Sequence, residues 1–529
     1  MEKQIAIIGA GISGLLACKY AVQKGFNPTV FEAQSSIGGV WTQTIESTKL
    51  QTAKEAFHFT DFPWPLSVKE HCPPGSDVLR YIELYAEHFG LLSYIKFNSK
   101  VISIDYVGDS DEEMMSWEVW SGNGNPFGAK GKWKLLVQQL DDNSLAKEYV
   151  VEFVILCSGR FSGLPNIPDF PLGQGPEVFG GKVIHSMEYS AMDNASAAEL
   201  IKGKRIAVIG SQKSAVDIAA ECADANGAKS PCVMIQRTVD WMLPSAFFWG
   251  VSFALLYGNR FSELLVHKPG ETIIHSILAT LLSPLLMIEF VQRWGISKFV
   301  ESYLRWKLPL KKYRMIPKHS FLQQASSCKI FFLPQNFYGR VEEGSIVLKQ
   351  SKGFCFCKEG LILDGESHPL KADLVILATG YKGQEKLRNI FTSQTFQNYI
   401  MGSSTSTLPL YRQIIPPRIP QVAIVGFAES FSNLTSLEIR CQWLAHLLCY
   451  TFKVPSIKEM EKDILMWEKY MKEYGGGEYK RSCIGAVHIW YCDQLCKDIG
   501  CNPTRKGGFF SELFLPYGPD DYVALAPCK

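Results

Sequence analysis

Ile7-Ile8-Gly9-Ala10-Gly11-Ile12-Ser13-Gly14, closed by Val30-Phe31-Glu32, sets the start of this chain as a strand, a tight turn and a helix, then a second strand. The run Gln4 to Ile8 is short, apolar and β-branched, as a buried parallel strand is. Gly9 allows the tight turn, and Gly11 lets the backbone approach a pyrophosphate. Gly14 lets the helix pack closely on the strand. With Ala10, Ile12 and Ser13 these residues bring free N–H groups and the positive end of a helix dipole to a phosphate. Glu32 ends the second strand, where a carboxylate accepts from ribose hydroxyls and repels a 2′-phosphate. The expected ligand is therefore FAD or NAD rather than NADP.

A second fingerprint lies about two hundred residues on: Ala207-Val208-Ile209-Gly210-Ser211-Gln212-Lys213-Ser214-Ala215, closed by Val233-Met234-Ile235-Gln236-Arg237. Gln212 stands where the middle glycine is expected, and Ser214-Ala215 replaces the last glycine with small residues. Lys213 adds positive charge beside the phosphate position. Arg237 ends its strand where Glu32 ended the first, and a guanidinium there suits a 2′-phosphate. NADPH is the expected ligand. The bland reading is an ordinary β-turn-α corner with a surface arginine.

The chain has 529 residues, too many for one core. Its formal charge of +2 gives no reason to invoke nucleic acid, and no basic run is interleaved with stacking aromatics. The 15 cysteines are odd in number and follow no zinc or scaffold spacing, so no metal site is expected. They read as small buried hydrophobes in a reducing compartment. The first strand begins at once, with no signal peptide before it, which predicts a cytoplasmic protein.

The expected fold is α/β, with two Rossmann-like dinucleotide-binding domains, the NADPH domain inserted into the FAD domain. Residues 1–172 begin the FAD domain, 173–334 form the insertion, 335–455 return to the FAD domain and 456–529 extend it. The strand Asp373-Leu-Val-Ile-Leu-Ala-Thr379-Gly380 is read as the return. The apolar stretch 247–291 has three readings: buried helices, a wall of the substrate channel, or a patch in peripheral contact with a membrane such as the endoplasmic reticulum surface. The first two are favoured because Ile273–Val291 contains Pro284, His275 and Glu289.

Phe179-x-Gly181-x3-His185-x3-Tyr189 resembles the identifying motif of flavin-containing monooxygenases. Glu32-x5-Gly38-Gly39-Val40-Trp41 and Leu377-Ala378-Thr379-Gly380-Tyr381 resemble that family's flavin and linker motifs. Thr48 to Glu55, Asp61-Phe-Pro-Trp-Pro65, Tyr303 to Tyr313 and Leu408 to Arg412 are similar to its plant branch, nearest the defence-related enzymes that N-hydroxylate pipecolate. The resemblance implies FAD and NADPH as cofactors, with Gly39, Val40, Trp41, Thr379 and Gly380 near them. It implies a reduced flavin that forms a C4a-hydroperoxide with O2 and passes one oxygen atom to a soft nucleophilic nitrogen or sulfur of a small molecule. Gln51, where many members carry asparagine, is the catalytic candidate near the flavin. His185 reads as structural, and Trp41 either flanks the flavin or fills core. Open alternatives are an auxin-pathway-type oxidative decarboxylase of a 2-oxo acid and a non-oxygenating redox sensor. A disulfide reductase would need Cys-x-x-Cys, which the chain lacks. A Baeyer–Villiger enzyme would carry tryptophan where Tyr189 stands.

Overall fold

The computed structural model describes residues 3–128, 130–140, 146–264, 267–271, 287–402, 407–476, 482–523 and 525–527; of Leu264 and residues 287–294 it describes the backbone only. The side chains of Ile273–Val291, and with them the readings given for that stretch, therefore lie outside the described residues. No helix among the described residues is long and apolar enough to cross a membrane.

Ten short parallel strands form two five-stranded sheets. They are β1 (Ile5–Ile8), β2 (Thr29–Phe31), β3 (Ile95–Lys96), β4 (Phe153–Leu156), β5 (Lys182–His185), β6 (Ile206–Ile209), β7 (Cys232–Gln236), β8 (Ile346–Gln350), β9 (Leu374–Leu377) and β10 (Val422–Ile424). The first sheet has the order β10-β4-β1-β2-β3 and the second β8-β7-β6-β9-β5. Strands β1, β4, β6 and β9 are buried along their whole length, because helices cover one face of each sheet and a three-stranded antiparallel sheet, within 99–151 and 354–371 respectively, packs on the other. Each fingerprint supplies the central β-turn-α of its sheet. Helix α1 (Ile12–Gln23) follows β1, and α2 (Lys213–Asn226) follows β6.

The expected boundary at residue 334 is corrected. Strands β8 and β9 both belong to the second sheet, β9 pairing with β6 and β5 in parallel. The inserted half therefore runs past Leu377, and the chain re-enters the first sheet only at β10, beside β4. An all-apolar strand tells that it is buried on both faces but not in which sheet. Residues 456–529 pack on the first half. Ile457, Met460, Trp467, Tyr491 and Leu495 share one core with β1, α1 and α3 (Asn433–Leu448).

A buried polar cluster locks α1 to α3. The Lys19 ammonium lies 2.6 Å from Asp61 and 3.8 Å from Glu438. Glu438 also accepts from the Tyr20 hydroxyl at 2.7 Å and the Thr60 amide at 2.9 Å. This accounts for Asp61 in the Asp-Phe-Pro-Trp-Pro stretch.

The cysteine expectation is corrected in one place. Cys328 and Cys483, separated by 155 positions, form a disulfide, while the twelve other described cysteines are free. Spacing could not show it, because the two segments meet only in the fold. Among the described residues no cluster of three His, Cys, Asp or Glu could hold a metal.

Candidate functional site

The first fingerprint is shaped by close backbone packing. Gly9 is left-handed at φ +105°, and a Cβ there would lie 2.6 Å from the Cys157 carbonyl at the end of β4. A Cβ on Gly14 would lie 1.8 Å from the Gly9 carbonyl. Both positions admit only glycine. Gly11 differs: its backbone is extended at φ −72°, and a Cβ would come no nearer than 3.4 Å to Gly39. Nothing in the chain itself requires glycine there, so the open approach serves something outside the chain. Ile12 and Ser13 open α1, whose first turn has no side-chain cap, so its amides remain for an anion. Glu32 is buried, accepting from the Ala10 amide at 2.6 Å and the Gln34 amide at 2.8 Å. Each carboxylate oxygen keeps a further lone pair for a ribose hydroxyl. These features fit the pyrophosphate and ribose of FAD.

Gly38 and Gly39 carry the next turn with φ of +118° and +59°. Val40, 52% exposed, faces the main cavity. Trp41 is instead half-buried on the core, edge-on to Phe57 at 6.3 Å, so of its two readings the packing favours core.

The second fingerprint repeats the arrangement. A Cβ on Gly210 would lie 2.5 Å from the Ala378 carbonyl at the end of β9. Gln212 takes the place of Gly11 with extended backbone (φ −104°, ψ −169°), which any residue adopts. Ala215 packs where Gly14 packs. Ser211 lies 3.3 Å from Asp240, and Ser214 lines the cavity. The Lys213 ammonium donates to Asp217 at 2.7 Å and to the Phe332 carbonyl at 3.2 Å. Burial holds the Asp217 carboxyl up at about 6 against the pull of Lys213. Arg237 is exposed on the cavity, and among the described residues no carboxylate holds it. A free guanidinium at this strand end fits the 2′-phosphate of NADPH.

Two connections join the halves side by side. The Asn166 amide donates to the Gly380 carbonyl at 2.9 Å, and the Asn166 side chain to the Thr379 carbonyl at 3.1 Å. Beside them His185 caps the helix Ser186–Ser190: its Nδ1 accepts from the Met187 amide at 3.1 Å, and its ring stands edge-on to Tyr381. Burial pulls the His185 pKa down, as a structural imidazole requires. The Tyr189 hydroxyl donates to Glu221 at 3.0 Å, and Glu221 also holds the Ser47 amide at 2.9 Å. Glu221 of α2 thus ties the motif Phe179 to Tyr189 to the segment around residue 47.

Both sheets open onto one cavity of about 1680 Å³. Its walls follow the carboxyl ends of β4 (Arg160), β10 (Glu429), β6 (Gly210), β7 (Arg237), β8 (Ser351) and β9 (Ala378). Open α/β sheets bind ligands outside these ends. Gln51 lines the cavity, with both ends of its amide engaged: Oε1 accepts from the Phe332 amide at 2.9 Å, and Nε2 donates to the Lys49 carbonyl at 3.0 Å. Phe253, Tyr257, Phe431 and His488 also line it. Phe253 and Tyr257 belong to the apolar stretch 247–291, for which a wall of the substrate channel was one of the expectations, while Phe431 and His488 come from two further segments that sequence reasoning missed. The one available signal was that Phe431 follows shortly after the buried strand Val422–Ile424.

A profile of the flavin-binding monooxygenase-like family matches residues 2–513. The probable flavin-containing monooxygenase 1 of Arabidopsis thaliana is 41% identical, over 98% of this chain and 96% of that protein. The putative flavin-containing monooxygenase 2 of the same plant is 36% identical, over 95% and 98%. An oxidized steroid monooxygenase bound to NADP shares the fold at a TM-score of 0.66 and 16% identity, over 94% of this chain and 97% of that one. With paired fingerprints that fit FAD and NADPH, and a cavity that the second of them lines, the chain belongs to the flavin-binding monooxygenase-like family and is an NADPH-dependent flavin monooxygenase.

Proposed function

We propose that the enzyme transfers one oxygen atom from O2 to a nucleophilic nitrogen, or sulfur, of a small molecule, as in N-hydroxylation of an amine or of an amino acid such as pipecolate in plant defence. The observation that carries this reading is the single cavity reached by the carboxyl ends of both sheets. Bound FAD, once reduced by NADPH, supplies the reactivity toward O2. The chain's own residues bind, orient and keep out water. Arg237 and the amides that open α2 hold the NADPH phosphates. The amides that open α1, with Glu32, hold FAD. Gln51 keeps its segment against Phe332 of the inserted half. The rings of Phe253, Tyr257 and Phe431 give part of the cavity an apolar lining, which favours exclusion of bulk water.

Purified enzyme supplied with NADPH and O2 is tested on a panel of amines, amino acids, thioethers and 2-oxo acids. The expected result is a product heavier by one oxygen atom from a nitrogen or sulfur nucleophile. Decarboxylation of the 2-oxo acids alone, or NADPH consumption without any product, would overturn it.

The enzyme is further read as cytoplasmic and in peripheral contact with a membrane such as the endoplasmic reticulum surface. Supporting this are the exposed rings of Phe247, Trp249 and Phe261, the last packed 5.2 Å from Phe514 of the exposed helix Phe509–Phe514. Cosedimentation with liposomes tests it, and a protein that stays entirely in the supernatant removes the membrane.

A further inference from the structure

We propose that the rings of Phe253, Tyr257 and Phe431 are the substrate-binding wall, and that they take the hydrocarbon substituent carried by the nucleophilic nitrogen or sulfur. This rests on the oxygen-transfer reading above and narrows its substrate class to nucleophiles with an alkyl or aryl group.

The three rings are built as one surface. Phe253 stacks on Tyr257 at 4.9 Å and meets Phe431 edge-on at 5.0 Å, and Tyr257 lies 6.0 Å from Phe431. All three line the cavity. The Tyr257 hydroxyl is buried and has no hydrogen-bond partner among the described residues, so what Tyr257 offers the cavity is its ring. Phe431 is seated on Gly485, where a Cβ would fall 2.9 Å from the ring. A glycine at that position keeps the ring where it is.

The wall is braced from behind. Arg260, just after the helix Phe253–Tyr257, donates to Asp493 at 2.6 and 2.9 Å, to the Pro503 carbonyl at 2.8 Å, and also to Glu512. Its guanidinium lies 4.7 Å over the Tyr517 ring. Pro516 to Gly518 line the same cavity, so this cluster holds the C-terminal segment beside the rings. His488 also lines the cavity and is buried, which holds its pKa down at about 4 and its imidazole neutral at pH 7. Rings and a neutral imidazole favour hydrocarbon, and they give a carboxylate no partner on this wall.

The test uses the FAD-loaded enzyme with NADP+ and a series of primary amines from methyl to hexyl, with binding read by calorimetry. Each methylene laid on the wall is expected to tighten Kd by about fourfold. Phe431→Ala is expected to weaken the hexyl amine on the order of tenfold, leave the methyl amine nearly unchanged, and be partly rescued by Phe431→Leu. If Phe431→Ala loses its flavin, the slope of the unaltered enzyme still decides. A flat series in an enzyme that oxygenates its amines overturns the wall but keeps oxygen transfer. A series in which nothing binds and nothing is oxygenated overturns both.

Discussion

The side-chain oxygen of Gln51 accepts the Phe332 amide at 2.9 Å, and the carbonyl of the same Phe332 accepts from Lys213 at 3.2 Å. One residue of the inserted half is thus gripped on both sides. The first grip comes from a segment of the FAD half, the second from the opening of α2. The clasp sits on the cavity wall, beside the position proposed for the NADPH phosphates.

Gln51→Ala removes one grip, worth about 0.5–1.5 kcal/mol for an ordinary hydrogen bond. FAD should remain bound and NADPH should still be consumed. With the two halves less well held, peroxide release should rise and oxygenated product fall. Peroxide and product counted against NADPH in the same assay check this. An unchanged ratio would make Gln51 a loop residue only.

Gly11 and Gly14 should fail in different ways. Gly14→Ala puts a methyl group 1.8 Å from the Gly9 carbonyl, so the β1–α1 corner cannot close, and soluble yield and melting temperature should both drop. Gly11→Leu meets only ordinary contact from Gly39 and should fold, but its side chain stands where the pyrophosphate approaches. A folded, colourless protein by circular dichroism and flavin absorbance is the expected outcome. A fully yellow Gly11→Leu would remove FAD from this loop.

Arg237→Ala should raise the Michaelis constant for NADPH and leave that for NADH nearly unchanged. Loss of a charge-assisted contact costs about 1.5–3 kcal/mol, on the order of ten- to a hundredfold in affinity. The ratio of kcat/KM for the two nucleotides is the measurement. If the ratio stays constant, another residue reads the 2′-phosphate.

Cys483→Ser opens the bridge to Cys328 and frees a loop of 155 positions in the unfolded chain. Chain entropy alone makes such a bridge worth about 5 kcal/mol. The variant should melt well below the parent, and dithiothreitol should bring the parent down to it. Mass spectrometry of alkylated thiols should find the same two cysteines protected before reduction and labelled after it. Equal melting curves with and without reductant would mean the bridge is not closed in solution.

Glu263 should make the fold less stable as pH rises from about 4.5 to about 8. Burial raises its carboxyl from 4.5 to about 8, against the pull of the Ile489 and Trp490 amides it accepts. A raised folded-state pKa means stability that is fully present below about 4.5 and lost as pH climbs through 8. His488, 3.8 Å away, works in the opposite sense: its pKa is lowered from 6.5 to about 4, so its contribution is present above 6.5 and lost as pH falls through 4. Between pH 6.5 and 8 only Glu263 of this pair titrates. Melting temperature should fall across that window, and Glu263→Gln should flatten the fall. A parent whose melting temperature is level there would place the Glu263 carboxyl elsewhere on the pH scale.

The sequence alone determined both strand-turn-helix units and the acidic or basic residue that closes each of them. Those features are local. Gly9 and Gly14 face each other within one turn, and Glu32 and Arg237 each end the strand that follows their own loop. Gln212 breaks the second fingerprint, and its extended backbone shows that the turn itself requires no glycine there. The tertiary structure alone decided what meets across long separations. It placed Leu374–Leu377 in the second sheet, paired Cys328 with Cys483, set Gln51 on Phe332, and gathered Phe253, Tyr257 and Phe431 into one wall. The physical reason is that apolar patterning records how deeply a residue is buried and on which face. It carries no record of the partner, which is chosen only when the two sheets and the C-terminal helices close around one cavity.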